Sequence, residues 1–148
     1  MQNIEIFTDG ACSGNPGKGG WGAILIIDGK EEELSGGEME TTNNRMELSA
    51  ALFALEDLKK RGISKASMMS LTSDSQYLKN GITTWIQTWK KNGWKTANKQ
   101  PVKNKDLWEV LDDLNAYFSI EWKWIKGHAG HQYNELCDEL ARNAIAKL

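Results

Sequence analysis

Cysteine is scarce in this sequence, and that excludes one class of protein at once. Cys12 and Cys137 are the only two in 148 residues. They are too few and too far apart for a disulfide framework, so a reduced, cytoplasmic setting is expected. No run of about 18 apolar residues occurs, so no membrane span is expected. The start, Met1-Gln2-Asn3-Ile4-Glu5, lacks a basic segment leading into an apolar one, so secretion by a signal peptide is not expected. Repeats, linkers and low-complexity segments are absent. At 40% apolar and 26% charged residues, the composition is that of an ordinary globular protein. One domain over 1–148 is expected, large enough for a proper core.

Several catalytic signatures are missing too. There is no Gly-x-Ser-x-Gly for a serine nucleophile. The loop Gly14-Asn15-Pro16-Gly17-Lys18-Gly19-Gly20 lacks the Gly-Lys-Ser/Thr ending of a nucleotide-binding loop. His128 and His131 are three apart, but the nearest soft ligand, Cys137, stands alone, which argues against zinc.

Charge is low overall, at −2, but unevenly spread. Of 18 bases and 20 acids, seven lysines and no acid fall between Ser75 and Lys105, leaving 11 bases against 20 acids elsewhere. Taken alone, a lysine run is a solvated face. Here Tyr77, Trp85, Trp89 and Trp94 are interleaved with it. Trp85 and Trp89 at i, i+4 are candidates for a buried stripe. Trp94, between Gly93 and Lys95, has the weakest claim to the core. Lysine among aromatics suits a groove that follows a nucleic-acid strand, with charge for phosphates and ring faces for sugars or bases.

Hydrophobic pattern places the elements. Asn3 to Thr8 alternates as a strand, closed by Asp9-Gly10. Trp21 to Ile27 reads as a buried strand, and Asp28-Gly29 turns it into a return strand through Glu31 to Leu34. Thr41 to Asn44 supplies capping residues. Leu48, Leu52 and Leu55 then mark a helix ending near Arg61-Gly62. Met68 to Thr72 is a short strand, followed by a helical region with Trp85, Ile86 and Trp89. Leu107, Trp108, Leu111 and Leu114 mark another helix. Ile120, Trp122 and Trp124 mark a strand, and Leu136, Leu140, Ala141 and Ala144 a final helix. The order predicts an α/β domain with a mixed sheet and helices packed on it.

Four acids stand out: Asp9, Glu47, Asp74 and Asp138. Each has a plain structural explanation. Asp9-Gly10 suits a turn. Asn44-x-x-Glu47 suits a capping box, and Asp74 suits a helix N-cap. Asp138 suits an exposed helix face. Their positions favour something else. Asp9 and Asp74 end predicted strands, where sites of α/β sheets assemble. Glu47 and Asp138 fall early in helices. Four carboxylates brought to one point can ionise together only around cations, which is the equipment of phosphoryl transfer. His128, between glycines and upstream of Asp138, is a candidate for proton transfer near a leaving group.

The motifs together resemble the bacterial type 1 ribonucleases H, which cut the RNA strand of an RNA–DNA hybrid. The resemblance spans nearly the whole chain. It rests on Phe7-Thr8-Asp9-Gly10, Gly14-Asn15-Pro16-Gly17, Thr41-Thr42-Asn43-Asn44-Arg45-Met46-Glu47-Leu48, Ser73-Asp74-Ser75-Gln76-Tyr77, Trp89-Lys90-Lys91-Asn92-Gly93-Trp94-Lys95-Thr96 and Lys126-Gly127-His128-Ala129-Gly130-His131. It implies a ribonuclease H-like fold, a five-stranded mixed sheet of order 3-2-1-4-5 with helices on both faces. It implies Asp9, Glu47, Asp74 and Asp138 as catalytic metal ligands for two Mg²⁺ ions, with Mn²⁺ a substitute, and His128 assisting. In that scheme Asp9 bridges the ions, Asp138 serves the one that activates water, and Glu47 and Asp74 serve the one beside the leaving 3′ oxygen. The products would carry 5′-phosphate and 3′-hydroxyl ends.

By the same resemblance, RNA is told by its 2′-hydroxyls, through the backbone from Cys12 to Gly14 and through Asn15, Asn44, Glu47 and Gln76. The DNA strand runs past Asn15, Asn43, Tyr77 and Trp85. Lys90, Lys91, Trp94 and Lys95 belong to a basic protrusion that grips the hybrid. Thr42 and Asn104 match a DNA-phosphate pocket. The family commonly has Arg two residues before that threonine, where this chain has Glu40. The segment Arg61 to Ala66 is also longer than in the relatives compared. With a strand starting almost at residue 1, no separate N-terminal hybrid-binding domain is expected, and the protein is expected to be a monomer. The alternatives are a 3′–5′ exonuclease or strand-transfer integrase of the same fold, and a hybrid-binding module without catalysis. The first two would lack the set Asn15, Thr42 to Asn44 and Gln76.

Overall fold

The computed structural model describes residues 2–126 and 131–148. Five strands form one sheet in the order β3-β2-β1-β4-β5. They are β1 (Asn3–Cys12), β2 (Gly17–Ile27), β3 (Lys30–Thr41), β4 (Met68–Ser73) and β5 (Ile120–Trp124). The first three are an antiparallel meander, and β4 and β5 run parallel to β1. Asp28 and Gly29 turn β2 into β3 with φ of 50° and 87°, the double positive φ that a two-residue hairpin matching strand twist demands.

Each parallel step needs a helical crossover. The first is α1 (Asn43–Lys60). The second runs through α2 (Gln76–Asn80), a π-helical turn over Gly81–Trp85, α3 (Ile86–Lys91) and α4 (Lys105–Tyr117). The chain closes with α5 (Gln132–Ala146).

Alternation along β1 sends side chains to both faces. Ile4 and Ile6, with Ala23, Leu25 and Leu71, meet Leu48, Ala51, Leu55 and Leu58 of α1 and Trp108 and Leu111 of α4. These residues are essentially out of water, and each leucine or isoleucine so buried contributes about 1.5–3 kcal/mol. Phe7 and Ile24 face the other way, onto Cys137 of α5. Helices therefore cover both faces, as the sequence predicts.

Two glycines set how closely those helices approach. A Cβ on Gly10 would lie 2.4 Å from the backbone N of Glu47, and one on Gly22 2.5 Å from the carbonyl O of Cys137. Asp9-Gly10 does not close the strand. It lies within β1, and Gly10 is there for helix packing, because any side chain would push α1 off the sheet. Asp9 pairs with Gly22, so α1 and α5 both crowd the point where Asp9 emerges.

No helix among the described residues is long and apolar enough to cross a membrane.

Candidate active site

The β1–β4 ladder ends at the pair Phe7 and Thr72. Two residues further along each strand direction come Asp9 and Asp74. Adjacent parallel strands thus deliver both acids to one edge of the sheet, beyond the carboxyl end of β4. Glu47 arrives from the second turn of α1, across the bare Cα of Gly10.

Neither cap expected from the sequence uses these acids. The N-cap of α1 is Thr42, whose Oγ1 accepts from the Arg45 backbone N–H at 3.2 Å. The N-cap of α2 is Ser75, whose Oγ accepts from the Leu78 N–H at 3.1 Å. Hydroxyls one position on from Asp74, and five before Glu47, do the capping. Both carboxylates are thereby released from that role.

Asp9, Glu47 and Asp74 each offer an oxygen within 4.8 Å of the others. Asp9 and Glu47 are 2% and 8% exposed. Burial first, then the charges of Asp9 and Asp74, hold the Glu47 carboxyl well above its ordinary range, against a lowering contribution from the Gly10 backbone N–H. Its Oε1 is buried and accepts no hydrogen bond, a costly position for an acceptor unless something else supplies a partner. Cys137, beneath Asp9, is also pushed upward, by burial and then by the Asp9 charge. Its Sγ donates to the Phe7 carbonyl at 3.2 Å, so it remains a thiol that fills space.

Asp138 is not in this group. It lies in the second turn of α5, where Arg142 Nε donates to its Oδ2 at 2.9 Å. His128 lies outside the described residues.

The residues expected to touch nucleic acid gather along the same side. Cys12 Sγ approaches the carbonyls of Thr41 at 3.4 Å and Gly17 at 3.6 Å. Asn15 Oδ1 accepts from the Asn43 backbone N–H at 3.2 Å, so the loop holding Gly14 is tied to the start of α1, where Asn43 and Asn44 are exposed. Gln76 is exposed at the first position of α2. Tyr77, Trp85, Trp89 and Trp94 form a continuous file with ring centroids 5.6–6.2 Å apart, anchored by Trp108. Trp94 is half-buried against Trp89 and packs on the core, more than its glycine and lysine neighbours suggest. Lys91 and Lys95 are exposed. Lys90 is exposed too, but its Nζ lies 3.2 Å from Asp112 of α4. A cavity of about 790 Å³ lined by Asn3, Glu5, Met68, Ser70 and Glu121 sits at the opposite end of β1 and β4. Asp9, Glu47 and Asp74 do not line it.

Two residues escape sequence reasoning. Arg45 forks onto Asp106 at 2.9 and 3.1 Å and reaches Asn104 at 3.0 Å. No spacing rule connects 45 with 106. The one hint is that Asp106 opens α4 immediately after the lysine-rich segment.

Fold and site together define a class: the chain belongs to the ribonuclease H family, whose profile matches residues 1–146. Its relatives narrow this to the bacterial ribonucleases H, as the sequence motifs suggest. It is 56% identical over 148 residues to a ribonuclease H of Hydrogenovibrio crunogenus, covering 100% of this chain and 99% of that one. It is 60% identical over 142 residues to one from Nitrosococcus oceani, covering 96% and 93%. Among solved structures, it resembles LC9-RNase H1, a type 1 enzyme, with a TM-score of 0.86 and 29% identity, covering 98% of this chain and 72% of that one. It also resembles LC11-RNase H1 in complex with an RNA/DNA hybrid, with a TM-score of 0.68 and 27% identity, covering 97% of each.

Proposed function

We propose that this ribonuclease H hydrolyses the RNA strand of an RNA–DNA hybrid, with Asp9, Glu47, Asp74 and Asp138 holding Mg²⁺, or Mn²⁺ in its place. One observation carries the reading: three carboxylates, from β1, α1 and the loop after β4, each offer an oxygen within 4.8 Å of the others, and Glu47 among them resists ionisation. A donor set made wholly of carboxylate oxygen fits a hard divalent cation. The buried Oε1 of Glu47, with no hydrogen bond to accept, fits a ligand awaiting one. Bound there, a pair of divalent ions would stabilise both the attacking and the leaving oxygen of an in-line displacement, giving 5′-phosphate and 3′-hydroxyl ends.

The protein's own part is to place the strand. Backbone from Cys12 to Gly14, with Asn15, Asn44, Glu47 and Gln76, reads 2′-hydroxyls. Asn43, Tyr77 and Trp85 line the DNA strand, Thr42 and Asn104 hold one of its phosphates, and Lys90, Lys91, Trp94 and Lys95 extend the grip. His128 moves a proton near the leaving group. The hybrid bound by LC11-RNase H1 supports this choice of substrate. We read 1–148 as one catalytic domain acting as a cytoplasmic monomer. The test is a labelled hybrid incubated with Mg²⁺: RNA cut internally to 5′-phosphate fragments is expected. An RNA strand left intact at every Mg²⁺ and Mn²⁺ concentration would overturn the reading.

A further inference from the structure

Asn104 is oddly placed for a residue that opens a helix. It precedes α4 in the left-handed region, at φ 60° and ψ 27°, yet its side chain makes no capping bond. Both ends of its amide are used sideways. Oδ1 accepts from the Arg45 guanidinium at 3.0 Å, and Nδ2 donates to the Tyr77 hydroxyl at 3.0 Å. Tyr77 accepts a second bond, from Trp108 Nε1 at 3.2 Å.

Donor inventory then fixes directions. A guanidinium has only N–H donors, so the face of Asn104 toward Arg45 must be its oxygen. The amide nitrogen is left on the Tyr77 side with one N–H to spare, since an NH₂ carries two. The Tyr77 oxygen already accepts from two N–H groups, so its own proton points elsewhere. Thr42 Oγ1 accepts from the Arg45 backbone N–H, so its own proton is left for another acceptor. Arg45 itself is held by the bidentate pair with Asp106, the stronger kind of charged contact.

We infer that Arg45 is a positioning residue: it fixes the orientation of the Asn104 amide, so that Asn104 presents an N–H and not its oxygen to a phosphate of the bound strand. This rests on the proposed reading of Thr42 and Asn104 as a phosphate pocket. Turned over, the amide would set its oxygen against the phosphate and its nitrogen against the guanidinium. Arg45 need not touch the phosphate, because Asp106 already answers its charge.

Steady-state cleavage of a labelled hybrid tests this with Arg45→Met, Asn104→Ala and the double variant. Each single change is expected to raise KM about ten- to a hundredfold, the scale of one hydrogen bond to a charged group, with kcat within about twofold. The double variant should match Asn104→Ala, because Arg45 acts through Asn104. The dependence of log KM on log salt should keep the parent's slope in Arg45→Met, whereas loss of a direct phosphate contact would lower it by about one. If Arg45→Met fails to fold by circular dichroism, Arg45→Gln replaces it. Its amide can face Asn104 with either end, so the same KM rise is expected. Unchanged KM on altering Arg45, an additive double variant or a reduced salt slope would each overturn the inference, even with Asn104→Ala impaired. Unchanged KM in Asn104→Ala would overturn the pocket and the inference together. A parent that cuts no hybrid would overturn these and the proposed function.

Discussion

Arg142 and Asp138 form an i, i+4 ion pair on α5, Nε to Oδ2 at 2.9 Å, with side chains 64% and 32% exposed. The fourth acid thus stands apart from the three that converge. Asp138 leans along its own helix toward a cation already present, while Asp9, Glu47 and Asp74 face one another across element boundaries.

Magnitude decides what that pairing does. An exposed helical ion pair contributes about 0.3–0.5 kcal/mol, too little to compete with a divalent ion and a phosphate. Arg142→Gln is therefore expected to lower the Mg²⁺ concentration for half-maximal cleavage by no more than about twofold, the equivalent of that energy. Asp138→Asn, which removes a proposed ligand, should raise that concentration much further. Metal titrations of hybrid cleavage check both. A shift above about tenfold in Arg142→Gln would make the pair a real latch and contradict this account.

Asp9→Asn and Asp74→Asn are expected to lower cleavage about a hundred- to a thousandfold, the scale of losing a group that acts on developing charge. Folding should survive, because each change relieves repulsion in a crowded acidic cluster. Circular dichroism and thermal melts check the second half. A melting temperature well below the parent's would mean that the carboxylates stabilise the fold.

Much of this was legible in the sequence, for physical reasons that can be named. The sheet order followed from motifs matching a known family. The Asp28-Gly29 hairpin followed from local backbone chemistry, and the α1 face from the spacing of Leu48, Leu52 and Leu55. What escaped were features made by distant contacts. Asp9-Gly10 looks like a turn because glycine usually is one. The pairing of Asp9 with Gly22 and of Gly10 with Trp21 shows that the strand continues, and the backbone of Glu47, 2.4 Å from where a Cβ would sit, shows why residue 10 is a glycine. The stretch Thr41 to Asn44 does supply the cap of α1, but several polar residues crowd each helix start, and the sequence alone does not single out Thr42 and Ser75 among them. The Arg45–Asp106–Asn104 network links three places that no local periodicity connects.

Glu47 gives the stability prediction its sign. An unfolded glutamate titrates at its ordinary value, while in the folded chain burial and then Asp9 and Asp74 raise it well above. Across the window between, the folded state keeps a proton that the unfolded state has shed, so stability falls as pH rises through it. Below the ordinary glutamate value the penalty vanishes. Glu47→Gln removes it with almost no change of shape. Without divalent ions, the variant should melt at least about 3 °C above the parent near pH 7–8, roughly what 1 kcal/mol yields in a chain of this size. The gain should disappear near pH 4. Melts across pH with a chelator present check this, and a gain that grows toward acid would show the reverse linkage.

Glu40 is exposed at the end of β3, two residues before the Thr42 cap. Arg45 is held by its bidentate pair with Asp106, so replacing Glu40 leaves that clamp in place. Glu40→Arg replaces an anion with a cation beside the proposed phosphate pocket. If the new side chain reaches the phosphate, log KM for a hybrid should become steeper in log salt by about one. KM should fall about tenfold at low ionic strength, the scale of one charged contact. Near 1 M salt, where screening acts within about 3 Å, the advantage should be lost. kcat should stay within about twofold, because the change lies outside the carboxylate cluster. Unchanged KM at every salt concentration would mean that the pocket's neutral donors, Thr42 and Asn104, hold the strand without help from position 40.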